Sequence, residues 1–130
     1  MHFVISLKTS KFDVSREDDN PINPIYGQSL LKWLKEHLSG QMEISKPEAE
    51  DWGWYSFVDW EGRSYMLGSS VFFEEGDDQN EELEWVFQVD KQRSLKEKLF
   101  GKETMTLEDG CLQFFKNLLE EQGIEVVSVE

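Results

Sequence analysis

The sequence predicts an α+β fold: a mostly antiparallel, twisted sheet in the order β-α-β-β-β-β-α-α-β, with helices packed on one face. Three observations carry this. Segments in which apolar and polar residues alternate with a period of two are grouped mid-chain, between segments with helical spacing. Strands grouped in this way pair antiparallel, whereas strict strand–helix alternation would build a parallel sheet. Nine Phe, five Trp and three Tyr in 130 residues supply enough apolar area for one core without a disulfide or metal. A single domain over 1–130 is expected, with no internal repeat and no boundary.

Taken in order, Phe3, Ile5 and Leu7 alternate with polar neighbours and predict a first strand. A polar stretch follows up to Asn20. Asn23 and Pro24 then form a helix-start pattern, with Asn23 as N-cap and Pro24 at the first helical position. Leu30, Leu31, Leu34 and Leu38 fall on one helical face, and Gly40 supplies a stop. Residues 41–45 read as a short strand with Met42 and Ile44 facing inward, closed by Pro47.

Residues 51–73 read as a hairpin. A two-residue Glu61-Gly62 loop would set Trp60 opposite Arg63, and a three-residue loop would set Asp59 opposite Arg63. The second register is preferred, because it pairs opposite charges, sets Phe57 against Tyr65 and lets Trp54 cover Gly68. An acidic connection over 74–82 leads to Leu83, Trp85, Phe87 and Val89, an alternating strand with one wet face. Ser94 and Glu97 form a capping box for a short helical turn ending near Gly101. Thr106 and Asp109 repeat the pattern before a longer helix that buries Leu107, Cys111, Phe114, Phe115, Leu118 and Leu119 and stops at Gly123. Residues 124–129 close the chain as a β-branched strand.

Charge is the strongest functional signal. Residues 43–90 hold fourteen carboxylates against two basic residues, a local −12 within a total of −14, together with Trp52, Trp54, Trp60 and Trp85. Such a charge repels phosphate backbones and anionic lipid, which argues against nucleic-acid or membrane partners. The first eight residues lack the basic flank of a signal peptide, and no apolar run approaches the roughly 18 residues of a membrane span, so a cytoplasmic protein is expected.

Candidate chemistry is sparse. Cys111 is the one cysteine and falls on an apolar helix face, where a thiol behaves as a small hydrophobe. His37 is not placed beside it. The loop beginning at Asp78 fails the calcium pattern, because Leu83 stands where glycine is needed. Isolated glycines give no phosphate loop, and one cysteine with two distant histidines gives no zinc site, so no cofactor is expected. Paired carboxylates are too numerous for any one pair to stand out as an acid–base couple.

The expectation is therefore a small acidic, non-enzymatic binding module of the inhibitor, immunity or adaptor type. It would present an acidic aromatic β-surface to a basic protein through Trp60, Glu61, Glu74, Glu75, Asp77 and Asp78. The alternative is a small-molecule-binding domain or minor enzyme with a pocket between sheet and helices, and a homodimer through the aromatic face is a third reading. Lys91, Arg93, Lys96, Lys98 and Lys102 surround Glu97 with a local charge of +4. Within that run Arg93, Ser94 and Lys96 form a candidate anion site at the capped turn.

Overall fold

In the computed structural model, which describes residues 2–73, 76–78 and 81–130, the chain is α+β. The strands are β1 (His2–Thr9), β2 (Glu48–Glu50), β3 (Gly53–Trp60), β4 (Arg63–Phe72), β5 (Leu83–Lys91) and β6 (Glu125–Val129). They form one antiparallel sheet in the order β2-β3-β4-β5-β1-β6. The helices are α1 (Gln28–His37), α2 (Leu95–Leu99) and α3 (Gly110–Glu121).

Alternation sorts the strand side chains into two faces. Ile5, Leu7, Trp54, Val58, Tyr65, Leu67, Val71, Leu83, Trp85, Phe87 and Val89 point inward and are buried. Above them sit Leu30, Leu31, Leu34 and Leu38 from α1 and Cys111, Leu112, Phe115, Leu118 and Leu119 from α3. The Phe115 ring meets Phe87 edge-on at 5.7 Å. Both long helices thus lie on one face, and among the described residues no helix covers the other face.

The start of α1 differs from the Asn23 cap. Residues 24–27 do not wind; they run beside the end of β4, where Tyr26 bridges Val71 and its carbonyl accepts the Val71 N–H at 3.0 Å. Gly27, at φ 154°, then turns the chain into the helix, and a Cβ there would lie 2.3 Å from the Ser69 carbonyl oxygen. The cap comes from elsewhere. The Glu17 carboxylate accepts the backbone N–H groups of Gly27, Gln28 and Ser29 at 2.8, 3.0 and 2.9 Å, and also the Ser29 hydroxyl. Buried Phe12 and Val14 hold the preceding loop where Glu17 can reach. Asn23 instead donates to the Asp51 carbonyl at 2.9 Å.

Three further expectations are corrected. Residues 41–45 do not form a strand; Ile44 is buried but makes only a single bridge to Val58, and the edge strand falls at 48–50. The hairpin takes the two-residue register, with Trp60 opposite Arg63 and Val58 opposite Tyr65. Directly opposed residues share a face, so burial of both Val58 and Tyr65 fixes that register. Glu61 (φ 50°) and Gly62 (φ 81°) adopt the doubly left-handed turn that suits the strand twist. At α3, Asp109 is the cap, accepting the Leu112 N–H at 3.1 Å, while Leu107 lies outside the helix and is exposed.

Because Glu17 satisfies three of the orphan N–H groups at the start of α1, Glu17→Ala is expected to lower unfolding free energy by about 1–3 kcal/mol. Urea denaturation should show a lower midpoint with an unchanged slope, and an unmoved midpoint would remove Glu17 as the cap.

Candidate functional site

The tryptophans do not share one face. Trp54 is buried inward, and its indole N–H donates to the Ile25 carbonyl at 3.1 Å. Trp60 also faces the helices: its ring packs at a tilt 5.0 Å from Phe114, and its indole nitrogen would lie 3.3 Å from a Cβ at Gly110. Trp52 goes the other way. Gly53, at φ 148°, breaks the alternation between Trp52 and Trp54, so the Trp52 ring covers Gly68 on the uncovered face. Gly68 is opposite Tyr55, so Trp52 rather than Trp54 shields it.

That uncovered face is aromatic. Tyr55 and Phe57 meet edge-on at 5.7 Å, and Phe57 is opposite Met66 on β4. Trp52 continues the strip toward Phe72, which is 66% exposed. At the end of β4 a notch of about 250 Å³ is lined by Ile25, Tyr26, Trp52, Val71, Phe72 and Phe73, and Tyr26 meets Phe73 edge-on at 5.6 Å. A second hollow of about 230 Å³ is lined by Phe72, Asp77, Asp78, Glu81, Glu82 and Glu84. Phe72 belongs to both, which makes the aromatic notch and the acidic hollow contiguous. Glu48, opposite Tyr55, with Asp59 and Asp90 further along, adds acids to the rim of the strip.

The residues selected from sequence are therefore divided. Asp77 and Asp78 lie in the acidic hollow, whereas Trp60 and Glu61 lie at the β3–β4 turn. Nine residue steps of β4 separate these ends, about 30 Å at strand rise. Glu74 and Glu75 lie outside the described residues. Tyr26, Tyr55, Phe57 and Phe72 were not singled out from the sequence. Phe72 carries a signal, since its parity is opposite to that of Leu67 and Val71, but the preference for tryptophan masked it.

At the capped turn, Arg93 donates to the Lys102 carbonyl at 3.1 Å. Ser94 accepts the Glu97 N–H and gives its own N–H to Glu97, completing the capping box. The Glu97 carboxylate also takes two bonds from Arg63 at 3.0 and 2.6 Å. The turn's first N–H groups thus face a carboxylate of the same chain, with Lys96 exposed beside it. Arg63 is the first cause, and the Ser94 N–H the second, that hold Glu97 down at about 2 from an ordinary 4.5.

Cys111 is fully buried, and burial first, with Asp109 second, pushes its thiol well up. Burial also raises Tyr65, whose hydroxyl donates to Asp109 at 2.8 Å and ties the α3 cap to the sheet. His37 is stacked on Trp33 at 4.9 Å. Among the described residues no group of three or more His, Cys, Asp or Glu is placed to hold a metal, and no helix is long and apolar enough to cross a membrane.

Together these features define an α+β domain with a one-sided six-stranded sheet, its open face aromatic and rimmed by acids. No protein-family model, curated protein or solved structure matches the chain.

Two outcomes follow from the ionisable groups. Cys111 should resist a thiol-specific reagent in the native protein at pH 8 and react at once in denaturant; fast native labelling would contradict its burial. Glu97 has a depressed folded value, so the stability it contributes is complete above pH 4.5 and is lost as pH falls toward about 2. A carboxyl NMR titration should place Glu97 near 2, and Arg63→Gln should return it toward the ordinary glutamate value.

Proposed function

We propose that the protein is a non-enzymatic binding module whose open sheet face receives a basic segment of a protein partner. The observation that carries this reading is the continuity of aromatic and acidic surface through Phe72. Aromatic faces attract guanidinium and ammonium groups, and nearby carboxylates add attraction and speed encounter. Exposed, contiguous aromatic surface of this kind is uncommon on a protein that works alone. The binding residues in this reading are Trp52, Tyr55, Phe57 and Phe72, with Asp77, Asp78, Glu81 and Glu82 as the acidic wall. Trp60 serves the fold by supporting α3.

A ligand pocket between sheet and helices is less well supported. Trp85, Phe87, Phe115 and the leucines of α1 fill the centre of that space, each at 1% exposure or less, and the hollow of about 480 Å³ at its edge, lined by Lys35, Ile44, Val58 and Asp59, is open to solvent. Cys111, the one nucleophile of note, lies inside the same core.

Affinity capture from the source lysate at low and high salt tests the proposal. The wild-type chain should hold a basic protein more weakly as salt rises. Phe72→Ser should abolish retention, and Asp77→Asn/Asp78→Asn/Glu81→Gln/Glu82→Gln should slow association and flatten its salt dependence. A partner retained equally by both variants would move binding off this face.

A further inference from the structure

A second exposed apolar surface lies at the opposite end of the molecule and carries the opposite charge. In α2, Leu95 and Leu99 are 74% and 73% exposed, and the adjoining Phe100 is 68% exposed. No residue of α2 is buried. The segment is held to the sheet by polar links: the Arg63–Glu97 pair, the Gln92 N–H to the Ser64 carbonyl at 3.0 Å, and Lys91 on Glu103 at 3.0 Å. It is a knob fixed in place with its apolar side chains turned out. Around it Lys96, Lys98 and Lys102 are exposed, and no ion pair to them is seen among the described residues.

Three large apolar side chains flanked by lysines suit an acidic, aromatic surface, and such a surface exists on this chain. The knob cannot reach it in its own molecule. Arg63 anchors α2 at the start of β4, and Phe72 lies at the other end of that strand, about 30 Å away.

We infer that the α2 knob of one copy docks into the notch of Tyr26, Trp52 and Phe72 of a second copy, with its lysines on Glu81 and Glu82. The inference rests on the reading of the open face as a receptor for basic, apolar groups, and names a second copy of this chain as an occupant. The net charge of −14 does not forbid it. At physiological salt, charges more than about 8 Å apart are largely screened, so the facing groups dominate. Because knob and notch are different surfaces at opposite ends, the contact is head-to-tail and leaves a free knob and a free notch on each pair.

Sedimentation velocity of the full chain at physiological salt tests this. Association should grow with concentration without stopping at a dimer. Leu95→Ser/Leu99→Ser/Phe100→Ser should stay monomeric, as should Phe72→Ser/Glu82→Lys, with both circular dichroism spectra unchanged because these positions are exposed. Mixing the two variants should restore one contact, giving a 1:1 pair and nothing larger. A wild-type chain that stays monomeric at every concentration would overturn the inference. So would an assembly that either variant leaves intact, or a mixture that does not stop at a pair. A monomeric wild type that still captures a basic protein through Phe72 would remove the second copy alone and leave the proposed function standing.

Discussion

The architecture depends on how closely the start of α1 approaches β4. Gly27 and Gly53 both lie against the Ser69 carbonyl, where a Cβ would sit 2.3 and 2.4 Å from its oxygen. Only glycine permits that approach. The contact brings the α1 leucines down onto the inner sheet face and exposes the helix's first N–H groups toward the 12–18 loop, where Glu17 accepts them. Asn20 and Asn23 bind the carbonyls of Glu50, Gly53 and Asp51, closing the same loop onto the β2–β3 turn. Backbone proximity, local polar bonding and apolar burial therefore support one another at one place.

The same constraint sets the character of the open face. Gly53 leaves the ordinary strand conformation to meet β4, and this sends Trp52 outward while Trp54 goes in. With α1 and α3 both on the inner side, the outer side of an antiparallel sheet is ordinarily polar. Here it carries Tyr55, Phe57, Met66 and Phe72 with Trp52 among them. The exposed part of that apolar area, chiefly Phe72 and Phe57, adds nothing to folding while it remains in water.

Charge is arranged along the strand direction. The β4–β5 connection gathers acids at one end, and α2 gathers lysines and exposed leucines at the other. The Arg63–Glu97 pair fixes α2 relative to the sheet, so this polarity belongs to the folded domain and not to a floating segment. The two ends of the molecule are consequently unlike in both charge and shape.

Much of the fold was legible in the chain itself. Period-two alternation located β1 and β5, the turn around Glu61 and Gly62 located β3 and β4, the leucine spacing located α1, and the Ser94–Glu97 box located α2, because each is a local pattern with a local cause. The positions that sequence reasoning misplaced share another property. The cap of α1 comes from Glu17, eleven residues before its first residue. The hairpin register was decided by which residues the helices bury, not by the charge pair at its tip. The face of Trp52 was decided by a glycine's contact with another strand. The sequence by itself determined most of the elements, the α+β class and the concentration of acid and tryptophan. Only the tertiary structure decided which aromatics face water and which acids lie beside them, since both depend on contacts between segments far apart in the chain.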